Sequence, residues 1–142
     1  MIGYLDTSAL VPLLITEPSS ASCRRFFDDA DTVVSSRLAY VETAAALAQA
    51  RRLDRITTAT HQAALRSLED LWAQFDIVEA DEALIGDAAE LAHRHDLRGH
   101  DAVHCASARQ LDDADLVAAA GDRQLLHAWS ALGLATYDTT QR

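Results

Sequence analysis

The 142-residue chain contains no lysine, so all twelve of its basic residues are arginines. It has only two cysteines, Cys23 and Cys105, and they lack the spacing of metal ligands. We interpret them as reduced, buried thiols, which excludes a disulfide-stapled fold. No uncharged apolar run approaches the roughly 20 residues that a membrane span needs. The first residues contain neither a basic segment nor a small-residue cleavage site, which predicts a cytoplasmic protein without a secretory signal.

The acidic balance of the chain limits its functions without fixing one. A formal net charge of −10 argues against a protein that coats nucleic acid by bulk electrostatics. It does not exclude a nuclease, because part of the negative charge could belong to a metal site. A chain of this length can bury about two thirds of its unfolded surface. We therefore expect one domain that spans residues 1–142.

Short β-branched or apolar runs alternate with helical patterns along the whole chain. The strands are predicted at Ile2–Leu5, Thr32–Ser35, Ile77–Val78, Leu116–Ala119 and Leu134–Thr136. The helices are predicted around residues 11–14, after residue 19, and at Leu38–Arg52, Thr57–Phe75, Asp81–His95, His100–Leu111 and Gln124–Leu132. This alternation predicts an α/β fold with a central parallel sheet of four to five strands flanked by helices.

Four acidic residues stand where a predicted strand ends or a predicted helix begins: Asp6, Glu42, Asp101 and Asp122. In a parallel sheet such positions gather at one edge, beyond the carboxyl ends of the strands. Gathered carboxylates repel one another unless a cation neutralises them. Oxygen ligands without cysteine predict Mg²⁺, with Mn²⁺ able to substitute.

Helix capping is the competing explanation for Asp6, Asp101 and Asp122, because an aspartate at a helix start accepts hydrogen bonds from free N–H groups. Glu42 is harder to explain in this way. We predict that it lies on a core-facing stripe of its helix formed by Leu38, Val41, Ala45 and Ala48. A carboxylate on an apolar face is costly unless it is paired or bound to metal.

Four segments of the chain together resemble the conserved blocks of PIN-domain ribonucleases, in particular VapC-type toxins. The blocks are Leu5-Asp6-Thr7-Ser8-Ala9-Leu10, Ser36-Arg37-Leu38-Ala39-Tyr40-Val41-Glu42, His100-Asp101-Ala102-Val103-His104-Cys105-Ala106 and Ala120-Gly121-Asp122-Arg123. Their order and spacing match the family over essentially the whole chain. The resemblance implies a PIN-like fold and a metal-dependent endoribonuclease, the toxin of a toxin–antitoxin pair.

The resemblance also implies a set of site residues and partners. Asp6, Glu42, Asp101 and Asp122 would be the catalytic metal ligands, directly or through water. RNA would be the substrate, and a cognate antitoxin protein the partner of a homodimer. The sequence departs from the family at Ala120, where a threonine or serine hydroxyl is common.

Several further residues are candidates for supporting roles. Thr7 is predicted to hold a metal ligand in place, and Ser8 to cap a helix. Arg37, His100 and Arg123 are predicted RNA contacts. His100 and His104 have a spacing compatible with zinc, but no His-Glu-x-x-His motif surrounds them, so we interpret His104 as a packed helix residue.

An apolar stripe and three alternative functions complete the sequence interpretation. The stripe Leu65, Leu68, Leu71, Trp72 and Phe75 predicts either core or the surface of a dimer. A receiver-like, Mg²⁺-binding signalling domain also gathers acids at strand ends, but it needs a lysine. A dehalogenase-like phosphatase needs an aspartate where Ser8 stands. The remaining alternative is a PIN fold kept only as a binding scaffold.

Overall fold

A computed structural model describes residues 1–141 and places a five-stranded parallel sheet at the centre of the fold. The strands are β1 (Ile2–Leu5), β2 (Thr32–Ser36), β3 (Asp76–Val78), β4 (Leu116–Ala120) and β5 (Ala135–Asp138). The helices are α1 (Thr7–Leu10), α2 (Ser20–Asp29), α3 (Leu38–Arg52), α4 (Thr58–Trp72), α5 (Glu82–His95), α6 (Gly99–Leu111) and α7 (Arg123–Ala131), with a 3-10 turn at Val11–Leu13. The predicted α/β fold and its parallel sheet are confirmed.

The first strand of the chain is the middle strand of the sheet, whose order is β3-β2-β1-β4-β5. On one side of β1, Ile2 pairs with Thr32 of β2, and on the other side it pairs with Leu116 of β4. Because all strands run parallel, the residues that follow β1, β2 and β4 emerge at the same edge.

Side chains along β1 alternate between two cores on opposite faces of the sheet. Tyr4 is fully buried in a core that β2, β4 and the helices α5, α6 and α7 share. Leu5 is fully buried on the opposite face, with residues of α1 to α4. Both faces are covered by helices, which explains why the strands read as continuous apolar runs.

The predicted stripe on α3 is wrong. Its predicted core residue Val41 is 60% exposed, and Ala45 is exposed as well. The buried face of α3 instead carries Ala39, Thr43, Leu47 and Ala50. The alanine content of α3 hides its orientation, since alanine is compatible with either face. Glu42 is therefore half-buried at the border between the two faces.

The predicted stripe on α4 belongs to the core more than to the surface. Leu68 and Phe75 are buried, and Trp72 is half-buried with its ring edge-on to Tyr40 at 5.4 Å between centroids. The helix ends at Trp72, so Phe75 lies in the turn beyond it.

Among the described residues, no helix is long and apolar enough to cross a membrane.

Candidate metal centre at the carboxyl edge of the sheet

Asp6 follows β1 directly and is buried, with 4% of its surface exposed. Its Oδ1 accepts hydrogen bonds from the Ser8 hydroxyl at 2.7 Å and from the Ala9 N–H at 3.2 Å, so Asp6 caps α1. The pKa of Asp6 is raised to about 6, chiefly by burial and least by the charge of Asp101, while His104, Ser8 and Ala9 oppose the shift. The capping explanation thus holds for Asp6, but it does not account for the cost of burying its charge.

Ser8 joins the first and last acidic blocks. Its hydroxyl donates to Asp6 and accepts the N–H of Gly121 at 2.7 Å. The prediction that Ser8 caps a helix is wrong, because the cap of α1 is Asp6 itself. Ser8 instead fixes the Asp6 carboxylate against the turn that leads from β4 into α7.

Glu42 is held by two side chains from elsewhere in the chain. The Thr7 hydroxyl donates to Glu42 Oε1 at 2.8 Å, and His104 Nε2 lies 2.8 Å from the same oxygen. Burial alone would raise the pKa of Glu42, but the hydrogen bond and charge of His104, together with Thr7, lower it below its ordinary value. Glu42 is therefore kept ionised, as a metal ligand must be.

His104 was interpreted from the sequence as a packed helix residue, and the structure gives it a larger role. It is 1% exposed and connects Glu42 to the buried Tyr4, whose hydroxyl lies 2.7 Å from His104 Nδ1. An ionised Glu42 can only accept, so Nε2 donates and, in a neutral ring, Nδ1 accepts from Tyr4. Its i, i+3 spacing from Asp101 on α6 was the sequence signal that both side chains share a face.

Asp101 and Asp122 share one arginine. Asp101, in the first turn of α6, is buried, and its Oδ2 accepts from Arg98 Nε at 3.0 Å. Asp122 caps α7 through Leu125 N–H, and its Oδ2 accepts from Arg98 Nη2 at 3.4 Å. The capping explanation therefore applies to Asp122 and not to Asp101, because Arg98 occupies the cap position of α6.

The predicted supporting residues lie at different distances from the acids. Thr7 contacts Glu42, and His100 Nε2 lies 3.6 Å from Asp101 Oδ1, too long for a hydrogen bond. Arg37 is exposed and pairs with Glu79 through Nε at 3.2 Å. Arg123 is exposed at the start of α7, next to Asp122. The sequence interpretation did not single out Arg98 from the other arginines that could contact RNA phosphates.

The four acids offer the chemistry of a divalent cation site, although they are not in a ligating arrangement. Among residues 1–141, no three His, Cys, Asp or Glu side chains are placed to hold a metal ion. Carboxylates without a cation repel one another, and Arg98 lies between two of them. The donor set is nevertheless all oxygen, and the buried Asp6 carries a charge that a cation would stabilise. Their assignment as ligands remains a prediction.

The raised pKa of Asp6 predicts a pH-dependent stability of the metal-free protein. The folded state binds the Asp6 proton more tightly than the unfolded chain. Protonated Asp6 therefore stabilises the fold fully below pH 3.8, and this contribution is lost as the pH rises through about 6. Relative to Asp6→Asn, the wild type should lose stability on the order of 2 kcal/mol between about pH 4.5 and about pH 7.5. Urea unfolding in EDTA from about pH 4.5 to about pH 7.5 measures it. A stability difference that does not change with pH would contradict the burial of an ionisable Asp6, and the exposed Asp70→Asn should show no such trend.

Comparison with known proteins identifies the family to which this edge of the sheet belongs. The PIN domain model matches residues 3–129. The chain is also 45% identical to Ribonuclease VapC45 of Mycobacterium tuberculosis over 122 residues, which are 86% of this chain and 85% of the relative. This chain is a PIN-domain protein of the VapC ribonuclease family. The resemblance predicted from the four sequence blocks is confirmed, and with it the ribonuclease function.

Further comparisons support the same family and fold for this VapC-type ribonuclease. Ribonuclease VapC46 of Mycobacterium tuberculosis is 36% identical over 108 residues, 76% of this chain and 75% of the relative. The FitAcB structure from Neisseria gonorrhoeae matches with a TM-score of 0.74 at 20% identity, covering 100% of both chains. The sarcin–ricin loop cleaving toxin VapC20 of Mycobacterium tuberculosis matches at 0.69 and 22% identity, covering 94% of this chain and 96% of that one. Membership in this family excludes the receiver-like alternative.

Proposed function

We propose that this VapC-type ribonuclease is a metal-dependent endoribonuclease in which Asp6, Glu42, Asp101 and Asp122 hold Mg²⁺, with Mn²⁺ able to substitute. The observation that carries the proposal is the burial of both Asp6 and Asp101, each 4% exposed, together with the raised pKa of Asp6, about 6, which burial chiefly causes. Two buried carboxylates at one strand edge are unfavourable in a structural role, whereas a divalent cation makes them favourable. The proposal treats residues 1–142 as one nuclease domain.

The residues around the acids support this assignment through their hydrogen bonds. Ser8 donates to Oδ1 of Asp6, while Thr7 and His104 both contact Oε1 of Glu42, and Oε2 of Glu42 has no hydrogen bond within the described residues. When bound, the cation would lower the pKa of a water nucleophile and stabilise charge on the leaving oxygen. Thr7 and His104 would hold the Glu42 carboxylate in place as one of the ligands of this cation.

Arginine and histidine side chains at the mouth of the site are suited to the RNA backbone. Arg98, His100 and Arg123 are exposed. Arg98 directly precedes α6, His100 lies in its first turn near Asp101, and Arg123 begins α7 next to Asp122. Their donors could bind the phosphates that flank the scissile bond. Arg37 would contact RNA farther out, if it exchanged its surface partner Glu79 for a phosphate. Such exposed ion pairs contribute little stability and exchange easily.

Binding of a cognate antitoxin and formation of a homodimer follow from the family as further parts of the proposal. A toxin–antitoxin complex from Klebsiella pneumoniae and VapBC-5 from Mycobacterium tuberculosis, a member of the VapBC family of toxin–antitoxin systems, have the same fold. Val41, 60% exposed on the turn of α3 that carries Glu42, is an apolar surface residue beside the site. We place the protein in the cytoplasm, where its RNA substrate is. Sedimentation with and without the antitoxin measures both associations.

Removal of divalent ions is expected to abolish cleavage. With a panel of structured RNAs, the protein should cleave in Mg²⁺ or Mn²⁺, lose activity in excess EDTA and regain it when Mg²⁺ is added back. Zn²⁺ should substitute poorly in a site lined by carboxylates. An Asp6→Asn variant purified in the same way should stay inactive, which rules out a contaminating nuclease.

Two results of this assay would overturn the proposal. Undiminished cleavage in excess EDTA would exclude the metal mechanism. Absence of cleavage by the wild type on every RNA, combined with RNA binding that Mg²⁺ does not affect, would support the non-catalytic scaffold instead. A surface variant such as Asp70→Asn should behave as the wild type in both buffers.

A further inference from the structure

Arg98 connects two of the four acids across the site. It is the residue before α6, and its side chain is 64% exposed, whereas Asp101 beneath it is 5% exposed. Arg98 Nε lies 3.0 Å from Asp101 Oδ2, and its Nη2 lies 3.4 Å from Asp122 Oδ2. The guanidinium therefore contacts one oxygen of each carboxylate, from the solvent side.

We propose that Arg98 is a built-in counter-ion that competes with the divalent cation for Asp101 and Asp122. This inference rests on the proposed metal site. In the metal-free protein the guanidinium neutralises part of the repulsion between the acids. Binding of the cation then requires these two contacts to break, so part of its binding free energy is spent on displacing Arg98.

The competition is fixed by the chemistry of arginine. A guanidinium stays protonated at every pH at which the protein is folded, so it cannot leave the acids by losing its charge. Its donors lie in a plane at a fixed separation, which allows one side chain to reach two carboxylates at once. A lysine would present a single charged nitrogen and would be unable to bridge them in this way.

Other basic side chains within residues 1–141 do not bridge Asp101 and Asp122. His100 lies 3.6 Å from Asp101 Oδ1 and makes no hydrogen bond to it. Arg94 pairs with Glu90 at 2.7 Å on the surface of α5, and Arg37 pairs with Glu79. Arg98 is thus the arginine within the described residues that bridges two of the predicted ligands.

The test compares Arg98→Gln with Arg94→Gln, which removes the same charge from an exposed pair away from the site. Isothermal titration with Mn²⁺ should give a dissociation constant at least about fivefold lower for Arg98→Gln than for Arg94→Gln, because a nearby positive charge has been removed. In EDTA, Arg98→Gln should have a lower melting temperature than Arg94→Gln, because the repulsion between Asp101 and Asp122 is no longer offset. The increase in melting temperature on adding Mn²⁺ should therefore be larger for Arg98→Gln.

A lysine variant separates the loss of charge from the loss of the bridge. Arg98→Lys keeps the charge but can contact only one carboxylate well, so its affinity for Mn²⁺ should fall between those of the wild type and Arg98→Gln. If Arg98→Gln binds Mn²⁺ no more tightly than Arg94→Gln, while the wild type binds Mn²⁺ and cleaves RNA, Arg98 does not compete and this inference falls alone. If the wild type binds no Mn²⁺, the proposed metal site fails and this inference fails with it.

Discussion

Replacement of Glu42 with glutamine is expected to lower kcat for RNA cleavage by at least about 100-fold, with a much smaller change in KM. Glutamine has nearly the same size and can still contact Thr7 and His104, so the fold should remain intact. What it loses is the negative charge that would hold the cation. Cleavage assays over a range of RNA concentrations, with circular dichroism of both proteins, measure the effect.

A matched control exists on another helix. Glu90→Gln removes an exposed carboxylate that pairs only with Arg94 on α5, so this variant should cleave RNA like the wild type. High Mn²⁺ should restore part of the activity of Glu42→Gln, since added cation offsets weaker binding. Wild-type rates for Glu42→Gln would mean that Glu42 is an ordinary helix residue satisfied by its neighbours. The four-carboxylate site would then lack its most distinctive member.

Replacement of His104 with phenylalanine is expected to destabilise the protein by on the order of 3 kcal/mol. Phenylalanine fills a similar volume, but it leaves the buried Tyr4 hydroxyl without its partner and removes one of the two hydrogen bonds to Glu42 Oε1. Glu42 would keep only the hydrogen bond from Thr7, so its carboxylate should become mobile. Urea unfolding at neutral pH measures the stability, and a midpoint equal to that of the wild type would contradict the role of His104.

Tyr4→Phe removes the hydrogen bond between Tyr4 and His104 and keeps the one between His104 and Glu42. It removes only the hydroxyl and leaves the ring packed edge-on to Trp129 at 5.8 Å, so we expect a loss near 1 kcal/mol. If His104 positions Glu42, His104→Phe should also lower kcat more than it changes KM, and Tyr4→Phe should do so to a smaller degree. Equal kcat values for His104→Phe and the wild type would limit His104 to a structural role.

The positions of the acids were predictable from the sequence because they depend on local signals. Asp6 and Asp122 each follow an apolar run that ends at a turn, and the parallel topology brings such positions to one edge without knowledge of any side chain. β1 has its predicted bounds, and β2, β3 and β4 are each one residue longer than predicted. The largest difference is at β5, which ends two residues later than predicted, at Asp138. That end is polar, and its sequence gives little periodic signal.

The contacts between the acids and their partners were not predictable, because they join distant parts of the chain. His104 meets Tyr4 and Glu42 across separations of 100 and 62 residues, and Arg98 meets Asp122 across 24. A single sequence gives no measure of such pairings. The error on α3 has a similar cause, since the burial of Leu47 rather than Val41 depends on where α4 packs.

The central position of β1 also determines when the edge that carries the four acids can form during synthesis of the chain. The strand made first has an open edge until residues 116–120 leave the ribosome and pair with it. Because that pairing spans most of the chain, it forms late and slowly compared with the local helices. Until then the edge that carries Asp6 and Asp122 is incomplete. The four acids are therefore brought together only after β4 has paired with β1.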